Sequence, residues 1–239
     1  MDNIRINYQP SGEELNKLED WLQKEYQLQR KGFYGNWSII ENAFEDDQLV
    51  LLNKLEDVIG FVVWGKYDIF SVIDIMEIRS DFRGNGLGKF LYDSIETLMI
   101  SIGAIAIKIF CEPRESKHFW KKMGFIHFHK SKEYTSSDLT FYKPLIETQK
   151  FAKYSSSNRL ELWDLVPYKA TKKTPKWTWN LDDENGILSK PILHPCSQKW
   201  KIRLIQNGKK VREEEVKYFS NQGKEIHFGS FLFINALPI

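Results

Sequence analysis

The sequence predicts an α+β protein in two parts, an α+β first domain followed by a smaller, β-rich one. Three observations predict it. The apolar run Val72–Ile78 enters a glycine-rich turn, Arg83-Gly-Asn-Gly-Leu-Gly88, which opens directly into a helical stripe of Phe90, Leu91, Ile95, Leu98, Met99 and Ile102. Around that unit, short apolar strands alternate with helix-spaced leucines. Beyond it the composition turns polar from Glu147 to Asn158, and the pattern that follows is β, with Asn207-Gly208 marking a two-residue hairpin turn. The expected organisation is a domain over 1–148, a linker over 149–158 and a β-rich domain over 159–239, whose role the sequence leaves open.

In chain order, Ile4–Tyr8 reads as a first strand. Ser11 is an N-cap with Glu13 and Glu14 in the first turn, and Leu15, Leu18 and Leu22 follow at helical spacing. After the Lys31–Gly35 loop a second short helix covers Trp37–Phe44. Gln48–Leu52 and Val58–Trp64 form a hairpin around Leu55–Asp57, and Ser71–Ile78 is the next strand. The helix from Gly86 to Ile102 leads to a strand over Ala104–Phe110 and a short helix over Glu115–Met123, stopped by Gly124. Phe125–Phe128 and Thr140–Leu145 complete the first domain. In the second, strands are expected at Leu160–Val166, Trp177–Leu181, Lys199–Ile205, Lys209–Phe219 and Glu225–Phe233, the last after an Asn221–Gly223 turn.

Bulk properties exclude several classes. No apolar run approaches the roughly 18 residues that span a bilayer, and the start lacks the marks of a signal peptide. Two distant cysteines, Cys111 and Cys196, fit a reducing cytoplasm better than a disulfide scaffold. His127 and His129 share a strand face, but no third ligand has suitable spacing, so no metal site is expected. From Phe151 onward 15 Lys and Arg face 9 Asp and Glu, a balance of +6; the preceding residues hold the other 19 and 23, a balance of −4. An acidic front suits a cationic substrate. Lys169, Lys172, Lys173 and Lys176 beside Trp177 and Trp179 are the residue types that grip single strands, but a solvated loop next to core tryptophans is the favoured reading, so nucleic acid is the weaker partner.

Glycines let a backbone approach a ligand closely, and the free N–H groups of a following helix favour an anion. The turn therefore reads as a pyrophosphate cradle with the Arg83 fork beside it. Neither Gly-x-x-x-x-Gly-Lys-Ser/Thr nor Gly-x-Gly-x-x-Gly fits. The strand, the Arg83-x-x-Gly86-x-Gly88 turn and the helix instead resemble the GNAT superfamily of acyl-CoA-dependent N-acetyltransferases. Val58–Gly65 is similar to the family's preceding central strand, and Phe119-Trp-Lys-Lys-Met-Gly-Phe125 to its later helix-to-strand corner. The resemblance covers residues 1–145.

It implies a mixed, mostly antiparallel sheet with helices on both faces, acetyl-CoA as co-substrate, and an amine acceptor acetylated by direct attack. By resemblance Ile78 binds the thioester carbonyl through its backbone N–H, with Met76 beside it. The run Arg83, Gly84, Asn85, Gly86, Leu87, Gly88 and Lys89 holds the pyrophosphate. Asp74 falls where polyamine and aminoglycoside acetyltransferases carry an acidic residue able to take the ammonium proton. Glu77 is the second acid candidate, on the opposite strand face. Phe33, Tyr34 and Trp37 are acceptor-pocket candidates. Trp120 replaces the Tyr that usually protonates the CoA thiolate, and Pro113 replaces a usual Asn. Indole can pack on the pantetheine arm but has no acidic proton to give; His118 and Cys111 are the nearest alternatives. The acceptor is then a small cationic amine, such as a polyamine or aminoglycoside, or an amine of a protein or aminoacyl-tRNA. The alternative is a GNAT-derived CoA-binding module with little turnover. The oligomeric state stays open, with a dimer compatible.

Overall fold

A computed structural model describes residues 3–30, 32–128, 138–220 and 226–238. The chain divides into two compact units, Met1–Phe125 and Ile126–Ile239. Lys31, His129 and the Asn221–Gly223 turn lie outside the described residues.

In the first unit β1 (Ile4–Asn7), α1 (Gly12–Gln29), α2 (Trp37–Glu45), β2 (Leu49–Lys54), β3 (Asp57–Lys66), β4 (Phe70–Ile78), α3 (Leu87–Ser101), β5 (Ala106–Phe110) and α4 (Lys117–Lys122) follow in order. The sheet runs β1-β2-β3-β4-β5. Its pairs are antiparallel except β4–β5, which is parallel. The sheet is thus mixed and mostly antiparallel, as the resemblance implies.

Helix α1 begins where the sequence places its cap. Ser11 and Glu14 form a capping box, and the Glu14 carboxylate also accepts from Asn7 Nδ2 at 2.9 Å and Asn53 Nδ2 at 2.6 Å, tying the helix to β1 and β2. Leu18 and Leu22 are fully buried against Ile40, Phe61, Val63 and Ile75. Each such side chain contributes about 1.5–3 kcal/mol by burial. On α3 the buried residues are Leu87, Leu91, Tyr92, Ile95 and Met99. Phe90, Leu98 and Ile102 are only half-buried. Tyr92 joins this face because its ring packs against Trp120 and Phe125 while its hydroxyl bonds Glu96 at 3.1 Å, a turn further on.

The second unit contains the antiparallel pair β6 (Ile126–His127) and β7 (Thr140–Pro144). It also contains β8 (Arg159–Leu162), β9 (Trp177–Asn180), β10 (Asp183–Glu184), β11 (Ile187–Pro195), β12 (Lys201–Gln206), β13 (Lys209–Glu215), α5 (Val216–Ser220), β14 (Ile226–Phe228) and β15 (Phe231–Ala236). These strands make two four-stranded sheets, β10-β11-β15-β14 and β13-β12-β8-β9, around a core that includes Leu160, Trp179, Ile202, Phe219, Leu232 and Ile234. Asn207 and Gly208 sit at φ +51° and +74°, the left-handed pair that a two-residue hairpin needs.

The expected strand over 209–219 stops at Glu215 and turns helical, because Val216 and Phe219 reach the core at i,i+3 spacing. The expected run to Phe233 is two strands broken at Gly229 and Ser230. The pattern reading missed β10 and β11. Pro191 and Pro195 lie within β11, and its register with β15 shifts between Ile187 and Ile192, as an imide without N–H requires. Within residues 149–158, Gln149 donates its backbone N–H to Pro191 C=O at 2.8 Å and Ala152 to Thr178 C=O at 2.7 Å.

Trp179 is buried in the core, Trp177 stacks on Trp200 at 5.4 Å, and Lys176 pairs with Asp164 at 2.6 Å. Both tryptophans of the Lys-rich segment therefore serve packing. Cys111 and Cys196 are buried free thiols. Among the described residues no helix is long and apolar enough to cross a membrane.

Gly60 pairs with Ile78 across β3 and β4. A Cβ there would stand 2.7 Å from Ile78 Cδ1 and 3.0 Å from the Glu77 carbonyl oxygen. Gly60→Ala should therefore cost about 1–3 kcal/mol by overpacking, measured as a lowered denaturant midpoint. Ile78→Val removes the colliding methyl and should recover part of that loss in the double variant; strict additivity of the two effects would refute the contact.

Candidate active site

The site starts from a limit on pairing. β4 pairs with β5 only from Phe70 to Ile73, against Ala106 to Ile109. From Asp74 onward β4 has no partner in β5. On its other side Arg79 donates its N–H to Ile59 C=O at 2.9 Å. Antiparallel strands alternate bonded and non-bonded positions. Met76 and Ile78, opposite Val62 and Gly60, thus turn their N–H and C=O groups toward the edge that β5 has left. Ile78 C=O meets Arg83 Nε there at 2.7 Å.

The glycine turn adjoins this edge. Gly84 and Gly86 have φ +82° and +77°, and no heavy atom lies within 4 Å of a Cβ built at either, so they meet a backbone requirement beside open space. Gly86 is the N-cap of α3 and brings no side-chain cap. The first N–H groups of α3, from Leu87, Gly88 and Lys89, have no intrahelical acceptor. Gly88 serves packing, since a Cβ there would stand 3.4 Å from the Phe119 ring. Asn85 Nδ2 donates to the carbonyls of Phe82 and Arg83 at 3.4 Å, bracing the turn. Lys89 is exposed and pairs with Asp93.

A cavity of about 730 Å³ runs from this turn along β4 to α4, and Phe119 and Trp120 line its far wall. A second, of about 850 Å³, faces α1 and the loop before α2 and is lined by Glu25, Phe33 and Ile39 among others. The residues the two share include Phe33, Asp74, Glu77, Arg83, Phe110 and Glu112. Of the three aromatic pocket candidates Phe33 lines the cavities, whereas Tyr34 and Trp37 pack on the α1 core.

Glu77 is the most perturbed acid here. Its side chain is 9% exposed, Oε1 takes Arg83 Nη2 at 2.7 Å, and Oε2 is buried without a hydrogen-bond partner among the described residues. Burial raises its pKa from 4.5 to about 7. The Glu25 charge adds to the rise and the Arg83 guanidinium opposes it. Asp74 is open to solvent by comparison, and partial burial moves its carboxyl upward. The Arg83 fork is thus turned inward onto Glu77 and Ile78 C=O.

Trp120 is buried, edge-on to Tyr92 at 5.9 Å and Phe125 at 5.2 Å. Cys111 is fully buried and its thiol is pushed up to about 11 by burial, which makes it a weaker acid than an ordinary thiol. His118 is exposed on α4. Among the described residues no group of three or more His, Cys, Asp or Glu could hold a metal. His127 bonds the Asp138 carbonyl at 3.0 Å. Glu25, Glu112 and Phe110 were missed by sequence reasoning. Glu25 had a signal: it continues the buried Leu18–Leu22 stripe at the next helical position, where a charge needs a reason.

Residues 15–125 match the model of the acetyltransferase (GNAT) family. No curated protein matches the chain. Among solved structures, Ard1 from Thermoplasma volcanium is 18% identical with a TM-score of 0.46, over 61% of this chain and 99% of that one. The PaiA N-acetyltransferase of Thermoplasma acidophilum, solved in complex with coenzyme A, is 17% identical (TM-score 0.47, 59% and 98%). Arylalkylamine N-acetyltransferase 2 from Aedes aegypti is 16% identical (TM-score 0.46, 61% and 100%). Residues 15–125 are a GNAT acetyltransferase domain, and the family model does not reach the second unit.

Glu77 makes stability pH-dependent. Its folded pKa lies above its unfolded one, so its contribution is full below about pH 4.5 and is lost as pH rises through about 7. Glu77→Gln removes that penalty, so the variant should gain roughly 3 kcal/mol more relative to wild type at pH 8 than at pH 4. Guanidinium unfolding at the two pH values measures this; an equal shift at both would assign the titration elsewhere.

Proposed function

We propose that the protein is an N-acetyltransferase that moves an acetyl group from acetyl-CoA to a primary amine by direct attack, with a small cationic amine as acceptor. One observation carries the reading: the free edge of β4 meets an uncapped helix start on one side and a buried carboxylate, Glu77, on the other. Acetyl-CoA supplies an acyl group on a thiol leaving group. Its pyrophosphate fits the Arg83–Lys89 turn, where two glycines leave open space and the first N–H groups of α3 are unpaired. Met76 and Ile78 offer backbone N–H groups along the arm, the oxyanion-type role at Ile78, and Trp120 walls the far end.

Glu77 takes the proton that an incoming ammonium must lose. A base with a pKa near the working pH combines the right protonation state with driving force. Arg83 orients it through the 2.7 Å bond and closes the turn onto the strand. Asp74, nearer solvent at the point where the β3–β4 register shifts, lines the same cavities and attracts the cation. With indole at position 120 the departing thiolate takes its proton from water, which a thiol of pKa about 8.5 tolerates. That same indole supports a second reading, a CoA-binding module without turnover. Release of CoA thiol across an amine panel separates the two.

Glu77→Gln should lower kcat by about 10²–10⁴-fold and change CoA affinity less than threefold by calorimetry. In the wild type kcat/KM should rise with pH and level off above about 7, as Glu77 loses its proton. If Asp74→Asn is the more damaging change, the proton-removing role passes to Asp74.

A further inference from the structure

We propose that the acceptor carries a second cationic nitrogen, held by Glu25 of α1 while its reacting amine lies at Glu77, so that the substrate class is a diamine or longer polyamine. This rests on the acetyl-transfer reading above. Among the described residues the 850 Å³ cavity is lined by four carboxylates, Glu25, Asp74, Glu77 and Glu112, against one cation, Arg83. Arg83 is already committed, with Nη2 on Glu77 and Nε on Ile78 C=O.

Glu25 is 9% exposed. Its Oε2 is buried without a hydrogen-bond partner among the described residues, and so is Oε2 of Glu77. Two buried carboxylate oxygens thus belong to residues, one on a helix and one on a strand, that line one space, and no described residue satisfies them. Buried charge in that state is costly until a charged donor arrives.

One ammonium cannot serve both through the reaction. The attacking nitrogen must be neutral when it attacks, so it ceases to compensate Glu25 at the moment of transfer. A second nitrogen that keeps its proton compensates Glu25 throughout. Phe33, Ile39 and Phe110 add apolar lining to the same cavity, which suits a methylene chain joining two charges. Gly32 lies over the Glu25 carboxylate, where a built Cβ would stand 3.4 Å from Oε2; that cover thins the water and strengthens the attraction.

The test is calorimetry on the full chain, with and without CoA, using α,ω-diaminoalkanes of three to eight carbons against n-alkylamines of equal length. Wild type should bind the best diamine at least about tenfold tighter than its matched monoamine. Glu25→Gln should remove that preference, weakening the diamine roughly 10–100-fold and the monoamine less than about threefold. Glu25→Asp, a milder change, should keep the preference and move it to a longer diamine. Equal affinity of the two series for wild type, as a proton shared by the carboxylates would give, overturns the proposal. So does a preference that survives Glu25→Gln. Thiol release read in parallel separates the failures. Glu25-dependent diamine binding without thiol release sinks acetyl transfer alone, while release from diamines and monoamines without preference sinks the second-cation site alone.

Discussion

The first unit depends on where β4 and β5 stop pairing. Four residues of parallel ladder hold the two strands together, and after Ile73 they part. An unpaired strand edge in a protein interior normally carries a desolvation cost. Here the edge lines a cavity, so its N–H and C=O groups stay available to a ligand. The neighbouring features are placed by that opening. The glycine turn begins just past the end of β4, α3 starts beside it, and Glu77 and Asp74 both line the cavities along the same free segment.

Arg83 fastens this arrangement. One guanidinium bonds a backbone carbonyl of the strand and the one carboxylate whose ionisation is most disfavoured. The pair is a compromise: burial and Glu25 push Glu77 toward its neutral form, and Arg83 pulls it back, leaving the group near neutrality. The two opposing forces act from different elements, α1 on one side and the turn after β4 on the other, so the poise of Glu77 depends on the tertiary fold.

Much of this was legible in the residues. The Ser11 cap, the Asn207-Gly208 turn and the glycine turn each rest on local backbone chemistry, and each lies where the sequence places it. The GNAT domain could be read because its marks are short-range patterns of strand, turn and helix. The carboxylate at position 25 was harder: it is far in sequence from Glu77, and only the packing of α1 on β3 and β4 brings their charges within reach of each other. Tyr92 escaped for a similar reason, since its place on the buried face depends on a ring-to-ring contact with Trp120. The proline-bearing β11 reads against strand propensity, and the sheet accepts it by shifting register at that point.

Helix α1 is held unequally along its length. Its first turn is locked by the capping box and by two amide side chains from β1 and β2, and its two leading acids complement the helix dipole. Its last turn has no basic residue to complement the opposite pole and ends at Arg30 in a left-handed conformation. Glu25, which lines the cavity, belongs to this second half of the helix. Local unfolding free energies follow such differences, so the two ends of α1 can open at different free energies. Changes in the segment around Gly32–Asn36 can therefore reshape the pocket while leaving the anchored turn, and the core of Leu18 and Leu22 beneath it, in place.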